Sequence, residues 1–270
     1  MASHRKPQPD ITLYRGWPGS GAYVWPPFVT KLEARLRFAG LSYRTEAGST
    51  WKAPRGKLPY IAVSKTDPGV PGSGTPTILA DSTLIVAKLV EDGLLDDLNA
   101  KLSPAEKAHD MALRGLLEDK LYFNQTYEKW NENYYAMRSH ILSSLPYPLQ
   151  VVVGLLAYRG VKQTLHGQGT GRLTTEEVRA SRQQIWESMN ALLVASRKNN
   201  PEIAAGGAPF WVLGGKGPSE ADTVLFGFIT AALNCTAAPA SQELVKSFPV
   251  VEDYARRIHN RYFSDYTCWE

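Results

Sequence analysis

The chain has 270 residues, 43% apolar and 21% charged, with a formal net charge of +4. That length can bury one large core or two unequal ones, and the composition is that of a folded globular protein rather than a disordered one. The small positive excess stands on no recognition helix or basic cluster, so nucleic acid is not an expected partner.

Residues 1–9 carry "RKPQP", a short basic tail without the apolar stretch of a secretory leader. "ITLYRG" (11–16) alternates and ends on glycine, which predicts a strand. From Pro27 the spacing Phe28, Leu32, Leu36, Ala39 predicts a helix stopped at Gly40, with two prolines suited to its first turn. "LSYRTEAG" and "KLPYIAV" (57–63) predict two further strands, with Pro59 marking an edge, bulge or tight turn in the second. "SKTDPGVPGSGTPT" is a Gly/Pro loop. "TILADSTLIVAKLVEDG" then gives a short strand, the pair Asp81-Ser82 and a helix. The order is β-α-β, then β-β-α.

The character changes near 93–102. "LSPAEKAHDMALRGLLEDKLYFNQTYEKWNENYYAMRSHIL" keeps helical periodicity for some forty residues. A capping box, Thr174 to Glu177, opens another helix, and Ser219 with Asp222 opens a third. "GKGPSEAD" is therefore read as a helix cap and not a site. The run "VVVGLLAY" (151–158) is well short of the roughly 20 residues of a membrane span and is expected as a core helix. Cys235, in an apolar stretch, and the distant Cys268 read as unpaired thiols in a reducing compartment. The five histidines are scattered without metal-ligand spacing, so no metal is expected.

The joint "GWPGSGAYVWPPF" (16–28) lacks the third glycine of a dinucleotide fingerprint and the Gly-Lys-Ser/Thr of a nucleotide-triphosphate loop. A phosphate cradle is thus disfavoured. The available hydroxyls there are Ser20 and Tyr23, and Trp25 adds an indole.

Taken in order, "PPFVTKLEARLRFAGLSYRT", "GKLPYIAV", "ADSTLIVAKL", the forty-residue helical stretch, "LHGQGTGR" and "HNRYFSDY" resemble the glutathione S-transferase superfamily. Within it they resemble most the branch of failed-axon-connections and metaxin proteins. The resemblance implies a thioredoxin-like N-terminal domain (1–92) and an all-α domain (103–270) that supplies a hydrophobic substrate pocket. It implies glutathione as co-substrate and a small hydrophobic electrophile, joined by conjugation or altered by thiol-assisted isomerisation, in detoxification or secondary metabolism. It further implies a cytoplasmic protein, a homodimer and no membrane span. In this branch the alternative is a non-catalytic binding or scaffold protein.

Carried over by position, Leu58 and Pro59 would pair with the cysteinyl part of glutathione like an added strand. Asp81 and Ser82 would hold its γ-glutamyl group, the carboxylate on the ammonium. Trp51 and Lys52 would meet its glycyl end, and Trp25, Tyr127 and Trp130 would line the second-substrate pocket. One position departs from the pattern. Where the branch has Ser-Pro-Phe this chain has Pro26-Pro27-Phe28, so the usual thiol-activating hydroxyl is missing. Tyr23, then Ser20, are the expected substitutes.

Overall fold

The computed structural model describes residues 9–64, 76–199, 202 and 206–270. Most of the N-terminal tail and of the "SKTDPGVPGSGTPT" loop therefore lies outside the described residues. β1 (Asp10–Tyr14) runs parallel to β2 (Arg44–Glu46) and antiparallel to β3 (Tyr60–Ser64), which pairs antiparallel with β4 (Thr77–Ala80). The sheet order is β2-β1-β3-β4. α1 (Pro27–Phe38) and α2 (Ser82–Glu91) bury Leu32, Leu36, Ile85 and Leu89 against Ile11, Leu13 and Ile61 of the strands. This is a thioredoxin-like domain.

α1 has no solvated face. Its apolar stripe meets the sheet, while Lys31, Glu33 and Arg35 are all buried on the other side. Each is ion-paired: Lys31 Nζ to Glu118 at 2.6 Å, Arg35 Nε to Glu220 at 2.6 Å, and Glu33 to Arg15 at 3.2 Å. Buried charges persist only when partnered, and Glu118 and Glu220 both come from the helical domain. The ion pairs thus fix how the two domains meet.

The helical domain begins with α3 (Pro104–Gly115), which continues through a π-turn (Leu116–Leu121), α4 (Tyr122–Tyr127) and a second π-turn (Glu128–Glu132). α5 (Tyr134–Ile141), α6 (Tyr147–Gln168), α7 (Thr175–Asn199), α8 (Glu220–Asn234), α9 (Pro239–Lys246) and α10 (Pro249–Tyr262) follow. Both expected caps form: Thr174 with Glu177 before α7, and Ser219 with Asp222 before α8. α8 is buried along nearly its whole length and crosses α1 at Gly227. A Cβ at Gly227 would stand 2.5 Å from the Pro27 carbonyl oxygen and 2.9 Å from the Lys31 amide nitrogen, so only glycine permits this approach.

α6 overturns one expectation. Of its residues only Gly154 and Leu165 are buried, and Val151, Val152, Val153, Leu155 and Leu156 are exposed. It is not a core helix. α5 and α6 instead form a hairpin on the outside of the domain, seated where Gly154 admits the Arg138 side chain. No single helix among the described residues is long and apolar enough to cross a membrane.

Candidate functional site

Three chain segments meet at one end of the sheet. β1 ends at Tyr14 and passes through Arg15 to Gly16. β3 begins at Tyr60, directly after a cis Leu58-Pro59 bond. β4 ends at Ala80, paired with Tyr60. The ladder ends with that pair, so Leu58-Pro59 and Asp81-Ser82 leave the sheet at the same end. Gly16 lies tight on Leu58: with φ +94, a Cβ there would come within 2.3 Å of Leu58 Cδ1. The Leu58 N–H and C=O bond to no described residue. Pairing has stopped, and the peptide presents a free strand edge.

Asp81 is the only described non-glycine residue with positive φ (78°). Its Oδ1 accepts from Thr83 N at 3.0 Å and Leu84 N at 3.2 Å, which caps α2. Oδ2 remains uncommitted, so one carboxylate can both cap the helix and face outward. Ser82 is buried at the first position of the helix. Behind it Lys31 Nζ donates to Thr83 Oγ1 at 2.8 Å, which puts a cation beneath the first turn. The sequence reading missed Lys31, because one lysine within an amphipathic pattern carries no signal of which side is buried.

The joint 16–26 is tied down from both sides. The Arg15 guanidinium, fully buried, gathers it by donating to the carbonyls of Gly19 (2.9 Å) and Ala22. Thr267 N donates to the Gly21 carbonyl at 2.7 Å and ties it to the C-terminal segment. Ser20 consequently lines a cleft of about 490 Å³ with Arg37, Thr45 and Asp265. Tyr23 turns inward. It is buried among Phe226, Phe263, Tyr266 and Trp269, and its hydroxyl bonds His259 Nδ1 at 2.8 Å. Burial pushes that hydroxyl far above its ordinary range. Of the two expected hydroxyls, that of Tyr23 is thus committed to His259 in the interior, and Ser20 stands at the cleft.

A different group comes to the joint. Trp25, just before α1, stacks face to face on His140 of α5 with ring centroids 3.5 Å apart, and Trp17 lies over His140 at 5.5 Å. Neither ring nitrogen of His140 bonds a described residue. Burial lowers its pKa from 6.5, which favours the neutral, proton-accepting imidazole. α1 itself opens on Pro26 with no side-chain cap, and Val29 N reaches back to the Pro26 carbonyl at 3.2 Å. His140 was not legible as a site residue, since a histidine 115 residues from Trp25 becomes its neighbour only through the fold.

The expected pocket aromatics are not brought together. Trp25 is with His140, whereas the Tyr127 hydroxyl is 3.2 Å from Thr175 at the start of α7 and Trp130 is buried near Tyr134. Trp51 is 96% exposed, and Lys52 is exposed beside it. Among the described residues no group of three or more His, Cys, Asp or Glu side chains is disposed to hold a metal. Cys235 and Cys268 are unpaired, and Cys235 is buried as expected.

Residues 27–137 match the family model described as the glutathione S-transferase N-terminal domain. The beta-etherase LigF of Sphingobium sp. strain SYK-6 superposes with a TM-score of 0.58 at 13% identity, over 94% of this chain and 96% of that one. The fold is that of the glutathione transferases. Glutathione transferase GSTFuA3 from Phanerochaete chrysosporium is similar, with a TM-score of 0.56 and 16% identity over 97% and 98% of the two chains. A glutathione transferase family member from Pseudomonas fluorescens pf-5, solved with two glutathione bound, gives 0.52 and 17% identity over 94% and 89%. At such identities the glutathione transferase likeness establishes architecture, and function has to be argued from the residues.

Proposed function

We propose that this protein binds glutathione along Leu58 and at the start of α2, and transfers it to, or uses its thiol to isomerise, a small hydrophobic electrophile. What supports the reading is the Leu58 peptide, unpaired among the described residues, at the same end of the sheet as Asp81 and Ser82, just past the last ladder pair Tyr60–Ala80. An extended peptide adds to a free strand edge through backbone hydrogen bonds. Its ammonium finds Asp81 Oδ2, and its γ-glutamyl carboxylate finds the N-terminus of α2 with Ser82 and Lys31 behind it. Trp51 and Lys52 are left for the glycyl end. The sulfur then points toward the start of α1, beside Trp25 and His140.

In this reading His140 takes the place of the missing hydroxyl. Its neutral imidazole accepts the thiol proton, and the dipole of α1 favours the thiolate. In conjugation the sulfur forms the new bond to carbon while the electrophile's leaving group departs with its electron pair. In isomerisation the sulfur adds and later leaves. The aromatic rings of Trp25 and Trp17 offer the apolar partner a wall, in place of Tyr127 and Trp130. The motifs from "PPFVTKLEARLRF" onward keep the failed-axon-connections and metaxin-like branch as the favoured placement. A cytoplasmic, homodimeric protein belongs to the same reading, with the two free thiols as support for a reducing compartment.

The test is turnover of glutathione with an activated aryl chloride, followed by absorbance. Acceleration over the uncatalysed reaction by at least about 10³-fold is expected from thiol activation combined with positioning. Glutathione binding without any acceleration would favour the second reading, a non-catalytic binding or scaffold protein, to which Pro26 and the buried hydroxyl of Tyr23 already lend weight.

A further inference from the structure

We infer that the α5–α6 hairpin is a membrane-surface element that seats this protein on an anionic lipid bilayer. Leu149, Val152, Val153 and Leu156 recur on α6 at helical spacing and are 52%, 58%, 37% and 61% exposed. Val151 and Leu155 are exposed as well, so the first turns of α6 present apolar surface on several sides at once. A helix lying in a bilayer interface buries so broad an apolar surface among the lipid chains while its polar side stays at the headgroups. Tyr135 and Tyr147, 72% and 67% exposed, add the amphipathic rings that favour the headgroup level.

The charge agrees. Residues 133–175 contain no Asp or Glu, and four cations, Arg138, Arg159, Lys162 and Arg172. Arg159, Lys162 and Arg172 are exposed. Among the described residues the Arg138 guanidinium has no carboxylate partner, and it lies over the rings of Tyr134, Tyr135 and Tyr147. Two copies meeting through this hairpin would oppose like charges. A bilayer containing acidic headgroups would complement them, worth about 1 kcal/mol for each surface cation. α6 would lie in the interface plane with its basic second half toward the headgroups; it does not span.

Vesicle co-sedimentation tests this. Full-length protein should sediment with phosphatidylcholine vesicles containing about 30 mol % phosphatidylserine, and markedly less with phosphatidylcholine alone. The exposed-residue variant Val152→Asn/Leu156→Asn should keep the wild-type melting temperature and bind about tenfold more weakly. Arg159→Gln/Lys162→Gln should lose the preference for the anionic vesicles. Failure of the wild-type protein to sediment with anionic vesicles would overturn the inference. So would undiminished binding by both variants, or a wild-type dimer in sedimentation equilibrium that Val152→Asn/Leu156→Asn dissociates while vesicle binding persists.

Discussion

Asp222→Ala should lower the free energy of unfolding by about 3–5 kcal/mol, read from the midpoint of urea denaturation. The carboxylate is fully buried and accepts four hydrogen bonds. Oδ1 takes Val212 N at 2.7 Å and the Tyr254 hydroxyl at 2.9 Å, while Oδ2 takes Ser219 N at 2.8 Å and Ser219 Oγ at 2.9 Å. It therefore joins the start of α8 to the 210–212 segment and to α10. Alanine removes the acceptor of all four, leaving the Tyr254 hydroxyl only the long contact to the residue-222 carbonyl at 3.4 Å. α8 in turn is the helix against which α1 rests, so the damage reaches the seat of the proposed site.

The same residue gives a pH dependence with a definite sign. Burial raises the Asp222 pKa from 3.8 to about 6, against the four donors that pull it down. The folded state thus holds its proton more tightly than the unfolded chain. Its contribution to stability is fully present below 3.8, falls as pH rises toward about 6, and is flat above. Asp222→Asn removes that slope, and the difference between the two unfolding curves across this window measures it.

His140→Phe should lower glutathione-dependent turnover by about 100-fold while leaving glutathione affinity within about twofold. Phenylalanine keeps an aromatic ring against Trp17 and Trp25 and removes both ring nitrogens, and an unchanged melting temperature shows that the larger ring is accommodated. The wild-type pH profile should agree. With its pKa held below 6.5 by burial, His140 is neutral at pH 7, and turnover should fall only as the solution is acidified below 6.5. An unchanged rate in His140→Phe would leave the dipole of α1 as the sole means of thiol activation and make His140 a packing residue.

The fold was legible because its signals are local. Alternation marks β1, and the Pro27 start and Gly40 stop mark α1. The capping boxes at Thr174 and Ser219 also announce themselves within four residues. The cap at Asp81 and the turn at Pro59 were legible for the same reason, and the ligand role proposed for them is a reading of the resemblance. What failed depends on contacts distant in sequence. Tyr23 reads as a loop hydroxyl until Phe226, His259 and Trp269 close around it. Ser20 reads as a loop hydroxyl until Arg15 gathers the carbonyls on either side of it and the cleft with Arg37 and Asp265 forms. His140 meets Trp17 and Trp25 only across the domain boundary, and Lys31 meets Thr83 and Glu118 only once α1, α2 and α3 have packed. α6 misled in the opposite way: apolar composition predicts burial, yet the domain core is already filled by α8 and α10, and "VVVGLLAY" is left outside.

The central claim is that the start of α2 and the Leu58 edge hold glutathione, and calorimetric titration of wild-type protein and Asp81→Asn tests it most directly. Asparagine caps a helix as well as aspartate and tolerates positive φ, so α2 should survive, while the charge that would hold the ammonium is lost. Wild-type protein should release heat with a Kd between about 1 μM and 1 mM, and Asp81→Asn should bind at least about tenfold more weakly at an unchanged melting temperature. No heat from wild-type protein at about 10 mM glutathione, or equal affinity in the variant, would contradict the account.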